Sequence, residues 1–415
     1  MTQDTHSIWE FVPIENYQRP TEPATQAVRK GLGGWWGRLR GRLHSSESVD
    51  GARKWRQVPD ELLDEVAPAP KWQDAAGALT NAIEDWLGAR RPAVPAQLLL
   101  APPHSGVSEI AICWAELNDV RLIEPPSTAD ILSGGAQWLS QFDNCDNITL
   151  VIPKLEKCYL RHHDGLTLVR RLIERMTDGR HRCLLTCDSW AWAFFSEVLA
   201  IDTLLPALLT LQTFDHSRLE RALWTLAHSP DGTDVQFLHT DNDKQFPLSA
   251  QTQALQDTSA TKSLHRDDAA RQKGNNTHLK YIAGYSRGLL KIAWSVWRRS
   301  LTLPAPETEE ESALLDGGRL FWVKPWSQLD LPRFPSQRAD SDLLVLHALL
   351  LHRGLHPDLL SMVLSSHPTD IMRSLHRLHD WQLLSEHEGC WEVSALGYPR
   401  VRRALESEGY LVDDC

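Results

Sequence analysis

The chain's absences narrow its function before any motif is considered. Its 415 residues include seven cysteines, Cys113, Cys145, Cys158, Cys183, Cys187, Cys390 and Cys415, and no two form a C-x-x-C pair. A structural zinc site needs that spacing or histidines at matching offsets, so the cysteines read as reduced, buried thiols and no metal site is expected. The 18 histidines leave this unchanged. Neither His162 with His163 nor His347 with His352 has a further ligand at a diagnostic offset. H-E-x-x-H is absent, and no Cys/His constellation points to a hydrolase or transferase. No apolar run reaches the ~18 residues a bilayer requires, and the first residues lack the basic-then-apolar order of a signal peptide. A cytoplasmic location is the expectation.

What is present reads as a globular α/β chain, with 42% apolar and 23% charged residues and room for two or three domains. Gln97 to Ala101 is an apolar strand that runs into the frame G-x-x-x-x-G-K-[ST]. Ala101 takes the first glycine, Gly106 the second, Val107 the lysine and Ser108 the hydroxyl. The turn at Ser105 and Gly106 keeps the form of an anion nest at a helix start, but a valine cannot neutralise the β- and γ-phosphates. Ile148 to Ile152 predicts a second buried parallel strand. Pro153 follows where a magnesium-binding Asp would stand, and Glu156 where an acid would orient the attacking water. Leu166, Val169, Leu172, Ile173 and Met176 give a covering helix over 165–176. Arg182 to Asp188 is a third strand, and Asp188 lies where a γ-phosphate sensor would sit, although two like charges would then meet. Leu208 to Gln212 is a fourth strand, and Asp215 caps a helix from Ser217 to Ala227. This alternation predicts a doubly wound sheet with ligands at the carboxyl ends of its strands.

Tyr281 to Leu301 contains Ser286-x-Gly288-x-x-Lys291-x-Ala293 and is similar to the helical lid of AAA+ and STAND ATPases. The resemblance implies that Lys291 would reach the γ-phosphate. The last 75 residues resemble a winged helix-turn-helix: a helix from Asp342 to Arg353 stopped by Gly354, a second opened by Pro357, a third from Thr369 to Trp381, and a hairpin from Leu383 to Val393. A P-loop core, a lid and a C-terminal winged helix is the domain order of origin-recognition-type AAA+ and STAND proteins, and the chain resembles a degenerate, bacterial branch of that group. The implied fold is α/β, a P-loop NTPase-like parallel sheet sandwiched by helices, followed by an α-helical lid and the winged helix. The implied cofactor is ATP or ADP with magnesium, held weakly, with no cofactor certain. Ser105, Gly106, Ser108, Asp188 and Lys291 would form the vestigial nucleotide site, and Glu156 the residual acid. ATPase activity is expected to be lost or very low.

Six regions follow. Residues 1–75 form a largely flexible basic arm and linker. Residues 76–230 form the core with the start of the lid, 231–276 a polar insertion without fixed structure, and 277–302 the lid helices. Residues 303–340 form an acidic connector with a short strand, and 341–415 the winged helix. The net charge of −11 is unevenly spread. Arg29, Lys30, Arg38, Arg40 and Arg42 interleave with Trp35 and Trp36 without an acidic residue, a pattern suited to peripheral contact with the inner membrane face. A flexible basic tail fits the same residues, because glycines break up the stretch. From Ser341 to Cys415 there are six Arg, no Lys and eleven Asp or Glu, so 6 − 11 = −5. DNA affinity rests on neutralising phosphates, so the winged helix reads as a protein-docking module more than a DNA reader. The expected output is regulation or scaffolding through protein contacts, by the winged helix or by an exposed subset of the 17 tryptophans. The alternative is a DNA-binding regulator.

Overall fold

The structure is a computed structural model and describes residues 7–20, 53–89, 94–143, 148–177, 180–205, 208–227, 235–246, 248, 277–306, 320–335 and 339–413. The basic arm from Arg29 to Arg42 lies outside them. Strands are numbered in chain order: β1 Phe11–Pro13, β2 Trp55–Gln57, β3 Ala96–Ala101, β4 Arg121–Leu122, β5 Thr149–Ile152, β6 Arg182–Asp188, β7 Leu208–Leu211, β8 Gln236–His239, β9 Leu301–Pro304, β10 Leu320–Val323, β11 Leu384–His387 and β12 Cys390–Val393. The chain forms two compact units, Met1–Gln18 with Lys71–Gln212 and Leu331–Cys415, and Arg19–Pro70 with Thr213–Asp330.

The first unit is built on a sheet of order β1-β7-β3-β6-β5-β4. It is parallel from β7 to β4, with β1 antiparallel at the edge. Every residue of β3 is buried, as a central parallel strand covered on both faces requires. Each of its leucines contributes roughly 1.5–3 kcal/mol by leaving water. The chain leaves β3 for β4 on one side and later reaches β7 on the other, which puts the carboxyl end of β3 at a topological switch point. The helix Val107–Leu117 follows β3 and buries Val107, Ile110, Ala111, Trp114 and Ala115. It packs on the helix Gln73–Ala82, where the Trp114 indole donates to Thr80 Oγ1 at 2.9 Å. The expected covering helix is Thr167–Thr177, with Val169, Leu172, Ile173 and Met176 buried.

The C-terminal segment belongs to this same unit, not to a separate domain. Helices Asp340–Leu351, Pro357–Leu364 and Pro368–Asp380 precede an antiparallel hairpin of β11 and β12. Glu388 and Gly389 both take positive φ at its two-residue turn, as the right-handed twist of a tight hairpin demands. Leu355 pairs with Trp391 by two backbone hydrogen bonds of 3.0 Å. Buried Asp342 accepts from Arg377 and ties the first helix to the third. The helix Tyr398–Ser407 closes the segment.

The second unit carries a sheet of order β2-β9-β10-β8, with β8 and β10 parallel and the other pairs antiparallel. Phe237, Phe246, Trp297 and Phe321 form its aromatic core. Helices Asp60–Val66, His216–Ala227, 277–286 and Leu290–Ser300 belong to it. Asp215 caps the second of these as expected, accepting from the Arg218 N–H at 2.8 Å.

Three boundaries are corrected. Residues 1–75 are not uniformly an arm: β1 extends the first sheet, Trp9 is buried against Trp72, and β2 with the helix Asp60–Val66 builds the second unit. These elements are too short for any periodicity to declare them. The insertion at 231–276 begins with β8, which a buried sheet neighbour holds despite polar flanks. The tract beginning at 303 is preceded and entered by β9, a strand ending in Pro304 at the point where the helix was expected to run on. Among the described residues no helix is long and apolar enough to cross a membrane.

Candidate functional site

The switch point at the end of β3 is where the chain's unusual chemistry gathers. Pro102 to Gly106 turns from the strand into the helix, and Gly106 at φ +91° is the residue before its first turn. An L side chain disfavours that angle, and the space is taken as well: a Cβ on Gly106 would stand 2.4 Å from the Trp72 ring. The Trp72 indole therefore lies directly on the loop. Two loop amides are spent inside the turn, with Ser105 N–H donating to Pro102 O at 3.2 Å and Val107 N–H to Ser105 Oγ at 3.3 Å. Val107 is 3% exposed, so the lysine position points into the core. Ser108 Oγ is 2.8 Å from Thr186 Oγ1 on β6, and Thr186 also accepts the Lys154 N–H at 2.9 Å.

The two predicted acids meet beside this loop. Glu156, 3% exposed, accepts the Asp188 N–H at 3.1 Å through Oε2. Asp188 caps the helix Ser189–Leu199 by accepting the Trp190 N–H at 3.2 Å. Burial pushes both carboxyls up; for Asp188 the Glu156 charge adds to the rise, and for Glu156 the backbone N–H groups, Lys157 and Arg353 oppose it. A γ-phosphate placed there would face two carboxyls where an intact site offers cations.

The cation that faces them comes from the C-terminal segment. The Arg353 guanidinium lies 3.3 and 3.2 Å from the two ring nitrogens of His104 in the loop. It lies 3.8 Å from Asp188 and 3.9 Å from Glu392. His104 Nε2 is also 3.0 Å from Val393 O, which fits the tautomer that donates from Nε2 to the carbonyl and accepts from Arg353 at Nδ1. Lys157 donates to Arg353 O and Gly354 O, both at 2.9 Å, and burial pushes its ammonium down. Tyr159 donates to Leu351 O at 2.9 Å. Asp413, also buried, accepts from Ser189 and from Arg402.

Of the six residues expected at a nucleotide site, Ser105, Gly106, Ser108, Asp188 and Glu156 do converge. Lys291 belongs to the second unit, half-buried in the first turn of Leu290–Ser300. Arg353, His104 and Trp72 complete the cluster and carried no local motif that would have marked them. The residues present do not fit a nucleotide with magnesium. No cation stands at 107, no carboxylate at 153, the Ser108 hydroxyl is engaged, and Trp72 and Arg353 cover the loop. The sequence also holds G-x-S-x-G at Gly284 to Gly288, but there the serine is the buried last residue of the helix 277–286 and donates to Ala283 O. The strand-to-helix elbow that exposes a nucleophile is not formed. His162, His163 and Asp164 place three ligand atoms within 4.8 Å of one another on a turn. His163 is engaged with Asp164 at 2.8 Å.

No protein-family model matches the chain, and no curated protein matches it. Among solved structures it is similar to Thermotoga maritima RuvB R170A, at 13% identity over 81% of this chain and 95% of that one, with a TM-score of 0.35. It is also similar to the Aeropyrum pernix ORC2 protein, at 13% identity over 85% and 96%, with a TM-score of 0.41. A third likeness is to Cdc6p from Pyrobaculum aerophilum, at 11% identity over 85% and 99%, with a TM-score of 0.34.

Proposed function

We propose that the chain is a P-loop-fold protein of the AAA+/STAND kind with degenerate Walker motifs, a pseudo-ATPase that regulates or scaffolds through protein contacts. The observation that carries this reading is the covered loop: Trp72 lies on Gly106 and Arg353 lies on His104, where phosphate and its cations would have to be. Hydrolysis needs positioned phosphates and a neutralising cation, and neither position 107 nor position 153 offers one. Glu156 is then a structural acid, not a base. The C-terminal helices and hairpin are read as a winged helix used for protein contact. Its third helix supports this over DNA binding, since Arg373 pairs with Asp370 and Arg377 with Asp342. The test is steady-state ATP turnover of the purified full chain beside its Glu156→Gln variant. Both should show background rates; turnover typical of intact P-loop enzymes, abolished by Glu156→Gln, would overturn the reading.

A further inference from the structure

An intact phosphate loop balances its acids with a lysine and a magnesium ion. This chain has lost both of those positions yet keeps Glu156 and Asp188 buried side by side, and a buried carboxylate without a partner is strongly unfavourable. The balance is restored from far along the chain. The buried carboxylates Glu156, Asp188 and Asp413 face Lys157, Arg353 and Arg402, three against three. Lys157 donates its hydrogen bonds to backbone carbonyls of the segment, and Arg402 is turned to Asp413. Arg353 alone of the three reaches the loop itself.

The backbone is shaped for this. The helix Asp340–Leu351 ends with Arg353 at φ +51° and Gly354 at φ +98°, and the Gly354 N–H closes back on Leu349 O at 2.9 Å. A left-handed arginine is strained, and this one reaches His104 and Asp188 with its guanidinium while Lys157 holds both carbonyls. We infer that Arg353 is the chain's own replacement for the cations of a nucleotide site, and that the C-terminal segment is the resident ligand of the loop, docked there as a condition of the site's fold. This rests on the proposed absence of nucleotide. It makes the segment a fixed plug, so a partner meets the outer faces of the winged helix and not a surface freed by its release.

The test is hydrogen exchange of the hairpin β11–β12 in the full chain, for wild type, Arg353→Met, Asp188→Asn, and the double variant. Removing one side of a buried pair should raise hairpin exchange about 100-fold or more. Removing both Arg353 and Asp188 should bring it back to within about tenfold of wild type, because Glu156 and Asp413 then face Lys157 and Arg402, two against two. If Arg353→Met does not fold, Arg353→Lys provides the readout: it keeps the charge without the fork, and exchange should rise by about tenfold. An Arg353→Met effect below about threefold, or a double variant as open as the summed losses, would overturn the inference. MgATP titration of the same wild-type sample separates the two claims. Tight binding with an intact rescue refutes the proposed function, whereas no binding with a failed rescue refutes the role of Arg353 alone.

Discussion

Acidification should loosen the first unit through His352. Its ring lies 4.6 Å from Tyr159, Nε2 receives the Arg161 N–H at 3.4 Å, and burial, with Lys157, Arg161 and His347 adding, pushes the imidazole from 6.5 down to about 3. The unfolded chain takes up this proton below 6.5 and the folded chain only near 3. The contribution to stability is therefore whole above pH 6.5 and is lost as the pH falls toward 3. At pH 5 the loss is about 1.4 × 1.5, or ~2 kcal/mol, and ~5 kcal/mol is its ceiling near pH 3. Glu156 and Asp188 act in the opposite sense, since their raised folded values mean that the folded state takes up protons first. A subtraction isolates the histidine. His352→Gln can still accept from Arg161 and never charges, so urea unfolding at pH 7 and pH 5 should show ~2 kcal/mol less acid loss in the variant than in wild type. An equal loss in both would show that His352 is not held neutral, and would refute the reasoning.

Other expectations follow from the same contacts. Gly106→Ala forces a Cβ into the Trp72 ring at a left-handed φ, and should lower stability by ~2 kcal/mol or more in thermal unfolding. Val107→Lys should not restore ATP turnover and should destabilise the chain by several kcal/mol, measured by urea unfolding, because the position is buried. The full chain should not shift the anisotropy of random duplex DNA at physiological salt; micromolar binding with a steep salt slope would favour the DNA-binding alternative. The basic arm is expected to give reversible association with anionic liposomes, its five cations contributing ~1 kcal/mol each at most. Arg38, Arg40 and Arg42 to Gln with Trp35 and Trp36 to Ala should abolish co-sedimentation while leaving β1 and β2 in their sheets.

Local physics was legible in the sequence, and distant contacts were not. β3, β5, β6 and β7 were readable because a strand covered on both faces must be apolar throughout, as Leu98 to Leu100 and Leu150 to Ile152 are. The hairpin declared itself by Glu388-Gly389 between alternating residues, and the first C-terminal helix by its leucine-rich face. β1 and β9 were hidden because four residues or fewer, each strand ending in proline, carry no period, and only their sheet neighbours hold them. At the site, the frame from Ala101 to Ser108 and the acids Glu156 and Asp188 could be read from spacing. Their occupant could not. Arg353 reaches His104 across 249 positions of sequence, and nothing local distinguishes it from an arginine at any helix end. The one usable signal was a charge deficit: two acids at adjacent strand ends with no cation in the loop between them.

The most direct test of the covered loop is whether the protein holds a nucleotide at all. Purified full-length chain, denatured and analysed by ion-pair chromatography, should release less than about 0.05 mole of adenine nucleotide per mole, and calorimetric titration with MgATP should show no binding tighter than about 1 mM. Stoichiometric nucleotide in the denatured sample, or micromolar binding lost when Ser108 is changed to Ala, would contradict the account.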